Sequence, residues 1–149
     1  MTRMYLEDFA VGQKFASSAL PVSTGDIKAF AAAFDPQPFH LDEQQALGTM
    51  FRGLAASGWH TAALTMRLLC DSEFRPAAGI IGAGVEELRW PQPVRPGDAL
   101  RVESEVLEVR VSKSRPDQGL LKMRVTTLNQ SAAAVQIFTA NLLVPKRGA

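Results

Sequence analysis

The sequence predicts an α+β fold in which an antiparallel sheet wraps around one long central helix. Three observations lead there. The stretch from Trp59 to Cys70 is helical in character, and Ala62, Ala63, Leu64, Met66, Leu68, Leu69 and Cys70 cover most of its circumference, as in a helix enclosed on most sides. Beyond Gly79 the chain turns to strand-like runs separated by turns. The last run, Ala133 to Val144, is almost continuously apolar, as expected of a strand covered on both faces. A buried helix followed by long antiparallel strands is an α+β layout.

The elements follow in order. Lys14 to Leu20 reads as an opening strand. Ser23-Thr24-Gly25-Asp26 resembles a capping box, and Ile27 to Phe34 continues as a short helix that Pro36 ends. Asp42 is a second N-cap, with Gln45 three residues on and Gly48 as the stop. Gly53 to Gly58 is a turn of small residues before the long helix. Gly79 to Trp90 is a glycine-punctuated strand, and Pro91 to Asp98 is a connector rich in turn formers. Leu100 to Val111 alternates, but its phase slips near Val106-Leu107, where a bulge would absorb the extra residue. Lys113 to Gly119 is a turn, and Leu120 to Leu128 is the next strand.

At 149 residues, 46% apolar, the chain is expected to form one domain spanning 1–149. A formal charge of +1 with both signs interspersed argues against nucleic acid as a partner. No segment approaches a membrane span, and the first residues have no signal-peptide core, so a cytoplasmic location is expected. Cys70 is the single cysteine and is expected to be buried and inert. Two histidines and one cysteine form no metal-ligand spacing, so no metal is expected. Neither a nucleophile elbow nor a phosphate-binding glycine motif is present.

The segment Phe34-Asp35-Pro36-Gln37-Pro38-Phe39-His40-Leu41-Asp42 carries the functional signal. Asp35 and Gln37 each precede a proline, which disfavours helix and predicts a stiff, extended connector. Such a connector presents Asp35 and His40 towards one point, and a carboxylate beside an imidazole is an acid/base pair able to activate water. Taken singly, Asp35 reads as a helix cap and His40 as a structural histidine. His60, in the first turn of the long helix, is expected to pack or to support the site. Phe34, Phe39 and Trp59 read as core or pocket wall.

Three stretches together resemble the MaoC-like dehydratases and (R)-specific enoyl-CoA hydratases, which have the hotdog fold. They are Asp35 to Asp42, the Gly58 turn that opens the long helix, and Trp90-Pro91-Gln92-Pro93-Val94-Arg95-Pro96-Gly97-Asp98. The resemblance covers nearly the whole chain. It departs from the family at Gln37, often Asn there, and at Ser57, often His. It implies a single hotdog domain and reversible syn addition of water to a trans-2-enoyl thioester. Asp35 and His40 would activate the water, and the Gly58 N–H would polarise the thioester oxygen. Ser57, Trp59, Phe39 and Gln37 would contact substrate, with Trp59 shortening the acyl tunnel. A CoA thioester would be the substrate, and no separate cofactor is implied. The exposed sheet edge, together with the resemblance, implies a homodimer or a dimer of dimers. The alternatives are a thioesterase on the same fold and a non-catalytic acyl-thioester-binding subunit.

Overall fold

The computed structural model describes residues 2–148. A 3₁₀ turn (Leu6–Asp8) leads to two short strands, β1 (Lys14–Ala16) and β2 (Leu20–Pro21). Helices α1 (Thr24–Phe34), α2 (Pro38–Leu41) and α3 (Glu43–Leu47) precede the long α4 (Gly58–Asp71). The strands β3 (Ile81–Arg89), β4 (Ala99–Val111), β5 (Gln118–Leu128) and β6 (Ala134–Pro145) complete the chain. The sheet is antiparallel, in the order β1–β4–β5–β6–β3, with β2 also pairing β4. Its inner face wraps α4, and this is the hotdog arrangement.

Small polar side chains start the helices where the sequence placed them. Ser23 Oγ accepts the Asp26 N–H at 3.0 Å, and Asp42 Oδ1 accepts the Gln45 N–H at 2.9 Å. The expected bulge in β4 is also present. Val106 pairs Met123 and Glu108 pairs Lys122, which leaves Leu107 as the extra residue. The opening strand differs from expectation, because it divides at Ser17. The Ser17 hydroxyl accepts the Val102 N–H at 2.8 Å, so a side chain takes the place of a ladder carbonyl between β1 and β2.

α4 departs further from its apolar pattern. Its buried residues are His60, Thr61, Thr65, Leu68 and Leu69, whereas Trp59, Met66 and Cys70 are exposed. The helix is buried on one side only, and the expectation of a buried Cys70 is corrected. The inner face is partly polar because it carries a hydrogen-bonded network. Trp90 Nε1 donates to Gln136 Oε1 at 2.8 Å, and Gln136 Nε2 donates to Thr65 Oγ1 at 3.0 Å. Thr65 Oγ1 lies 2.6 Å from the Thr127 hydroxyl and donates to the Thr61 carbonyl at 2.8 Å. Thr65, Thr127 and Gln136 are fully buried, so the network joins α4 to β5 and β6 without leaving these groups unpaired. The core also holds Val102, Val106, Leu121, Met123 and Val135, with Phe15 packed edge to face against both Phe9 and Phe74.

Candidate active site

Asp35 caps the C-terminus of α1, its N–H donating to the Ala31 carbonyl at 2.8 Å. Gln37 is extended (φ −113°, ψ 149°), as a residue before proline should be. The segment is not extended throughout. Pro38 to Leu41 forms one helical turn, with proline at the first position, where its missing N–H costs nothing. That turn carries His40 inward, leaving it 4% exposed.

The two side chains then meet. His40 Nε2 lies 3.3 Å from Asp35 Oδ2. On the other side of the ring, Nδ1 lies 2.6 Å from the Ala55 carbonyl oxygen. A carbonyl only accepts, so Nδ1 carries a proton and only Nε2 remains to exchange one. The Gln37 amide donates to the second oxygen of Asp35, Oδ1. Burial pushes the Asp35 carboxyl up. Hydrogen bonds from Gln37 and Ser57, with the charge of His40, outweigh that and hold it below the usual carboxylate range. Asp35 is therefore an ionised base at neutral pH. The Phe39 ring stands edge-on to His40 at 4.6 Å, and Phe51 lies 5.9 Å from it. These rings wall the pair.

Residues distant in sequence fix the loop that holds His40. The Arg95 guanidinium donates to the carbonyls of Phe51, Gly53 and Leu54. Ala56 N–H donates to the Val94 carbonyl at 2.9 Å, and Ala55 N–H to that of Phe39 at 3.0 Å. Asp98, itself buried, accepts the Arg95 N–H at 2.9 Å and the Gln130 amide at 3.0 Å. Gly97, at φ +89°, allows the turn that brings Asp98 back onto Arg95. Phe51, Ala55 and Arg95 were not assigned to the site from sequence. The proline-glycine-aspartate connector was the available signal for Arg95, but its target lies more than forty residues earlier.

Ser57 is buried and caps α4, its hydroxyl accepting the Trp59 N–H at 3.2 Å. Gly58 is the first residue of α4, where an N–H has no intrahelical acceptor and the helix dipole favours negative charge. A Cβ on Gly58 would lie 2.5 Å from the Trp90 ring, so only glycine fits against that indole. Trp59 is 60% exposed and meets Trp90 edge-on at 5.3 Å. His60 is buried in the first turn of α4 and stacks on Phe30 at 4.7 Å. An apolar cleft of about 280 Å³ lies further along α4, between Met66 and Leu69 and the sheet residues Gly82, Val85, Phe138 and Leu142. Trp59 is not among the residues lining it. Among the described residues, no three His, Cys, Asp or Glu side chains gather as a metal site would require.

The family model described as "MaoC like domain" matches residues 8–128. A MaoC-like dehydratase from Rhodospirillum rubrum has a solved structure that is 55% identical, with a TM-score of 0.95 over 98% of this chain and 99% of that one. The (R)-specific enoyl-CoA hydratase of Rhodospirillum rubrum is 31% identical across 97% of this chain and 94% of its own length. An (R)-hydratase of Pseudomonas aeruginosa is 30% identical, with a TM-score of 0.77 over 97% of this chain and 88% of that one. With the family model spanning both the Asp35–His40 pair and the Arg95–Asp98 connector, the chain belongs to the MaoC-like domain family.

Proposed function

We propose that the protein is an (R)-type enoyl-CoA hydratase, adding water reversibly to a trans-2-enoyl thioester. The approach of His40 Nε2 to Asp35 Oδ2, at 3.3 Å in a largely buried setting, carries this reading. A water donating one hydrogen bond to each atom has both protons held and its lone pair free. As its oxygen bonds the β-carbon, one of the pair takes a proton from the water, and the conjugate acid so formed delivers that proton to the α-carbon on the same face, which restores the pair. Negative charge gathers on the thioester oxygen during that step. The Gly58 N–H supplies a donor there, and such donors are worth about 3–4 kcal/mol in a dry site. The acyl chain runs along α4 into the apolar cleft beside Met66 and Leu69. The named hydratases among the relatives support the same chemistry.

The pairing surface follows from exposure. Nearly all of β3 is exposed, including Ile81 and Val85, and so are Met66 and Trp59 of α4. A second copy joined along β3 would satisfy the open edge and cover these side chains. The protein is thus a homodimer in this reading.

The test is the ultraviolet absorbance of a short trans-2-enoyl-CoA incubated with the protein, with a thiol reagent present in parallel. Loss of enoyl absorbance without thiol release is expected. Asp35→Asn and His40→Gln should each slow it by about 10²–10⁴-fold. Thiol release would make the protein a thioesterase, and binding without turnover would make it a thioester-binding subunit.

A further inference from the structure

At the far end of α4 from the catalytic pair, a second cavity of about 250 Å³ is lined by Arg3, Cys70, Phe74, Arg75, Pro76 and Ile80. Cys70 stands about 18 Å of helix axis from Gly58. Two separate segments bring the arginines here. Met4 N–H donates to the Arg75 carbonyl at 2.7 Å and Ala77 N–H to the Met4 carbonyl at 2.8 Å, which lays the N-terminal segment along residues 75–77. Arg3 is held over the cavity by a bond from its guanidinium to the Ala77 carbonyl at 2.8 Å.

Among the described residues, neither arginine forms an ion pair. The arginines in described ion pairs are Arg67, Arg101, Arg110, Arg115 and Arg147. The Nε–H of Arg75 is buried and has no acceptor among the described residues. A buried donor on a charged group is costly unless something accepts from it. The rest of the wall is apolar: Phe74 is 1% exposed, beside Pro76 and Ile80. Phe74 and Ile80 also line the apolar cleft described above, so the two cavities adjoin through shared side chains. Two arginines in the wall of one cavity, beside Phe74, Pro76 and Ile80, match a planar anion carried on an apolar chain.

We propose that Arg3 and Arg75 form a receptor for a carboxylate borne on a hydrocarbon chain, with the chain lying over Phe74 and Ile80 towards the cleft. Two sources supply that chemistry: a free fatty acid, or the far carboxylate of a dicarboxylic acyl thioester. The second rests on the proposed hydratase function, and the first does not.

Calorimetric titration of the full chain with decanoate and with 1-decanol tests the receptor without any need for turnover. Decanoate should bind, and its affinity should fall by at least about tenfold in Arg75→Gln and also weaken in Arg3→Gln, while any binding of decanol is the same in all three proteins. Arg3 is exposed, so its variant keeps the test valid if Arg75→Gln fails to fold. Decanol binding as tightly as decanoate, no binding of decanoate, or a folded variant binding it like the parent would overturn the proposal. Steady-state assays on enoyl-CoA esters ending in carboxylate or in methyl then separate the sources. A lower KM for the carboxylate ester that Arg75→Gln abolishes assigns the receptor to the substrate's far end. Equal KM values assign it to a free acid, since the titration stands on its own.

Discussion

Asp35 holds its charge against burial because Gln37 and Ser57 both serve its ionised form. Its carboxyl lies below the ordinary range, so its stabilising contribution is complete above the unfolded value near 4 and is lost as pH falls through the folded value. Gln37→Ala removes the donor to Oδ1 and should move the acid limb of kcat/KM to higher pH, measured with a short enoyl-CoA. His60 has the opposite charge type. Burial depresses its basicity, with the Asp26 carboxylate opposing, and its Nδ1 has no partner among the described residues. The unfolded chain therefore takes up a proton on His60 more readily than the folded one. Stability should fall as pH drops below about 6.5, the ordinary histidine value. Urea midpoints at pH 8 and pH 5.5 should differ less in His60→Phe than in the parent, and an equal difference would remove His60 from the account. At this scale the sequence was informative about identity and silent about partners. Asp35 and His40 stood out through their prolines and spacing, whereas nothing local marks Ala55 as the carbonyl that fixes the His40 tautomer.

α4 shows what periodicity conveys and what it misses. Its extent was legible to within one residue at each end, Trp59 to Cys70 being expected and Gly58 to Asp71 found. Its orientation was not, because the buried face uses threonines and a histidine while Met66 and Cys70 are exposed. Hydrophobicity counts cannot anticipate a polar face satisfied by Gln136 and Thr127 from strands sixty or more residues later. Thr65→Val deletes the group that accepts from Gln136 and pairs with Thr127. It should cost about 1–3 kcal/mol in a urea melt, because both partners are buried. Gly58→Ala drives a methyl into Trp90 and should cost a similar amount, about 1–3 kcal/mol. Combining it with Trp90→Leu should recover part of that loss, and strict additivity in the cycle would mean the clash is relieved elsewhere.

Across the molecule, order of elements and strand content were readable because each strand announces itself by local pattern. The bulge at Leu107 was readable too, since a phase slip is a property of one strand alone. The division of the first strand was not, since it depends on Ser17 bonding Val102 across the sheet. The open β3 edge belongs to this scale as well. Val85→Lys on that strand should shift sedimentation of the protein towards monomer, whereas an unchanged sedimentation coefficient would place the pairing surface elsewhere. The clamp of Arg95 on the carbonyls of Phe51, Gly53 and Leu54 makes the loop beside His40 dependent on chain synthesised long after it. Local fraying cannot loosen that loop while the sheet stands, so the amide proton of Ala56, bonded to Val94, should exchange with deuterium only at the rate of global unfolding. The setting of the Asp35–His40 pair then becomes a late event in folding, acquired only when the two halves of the chain have closed on each other.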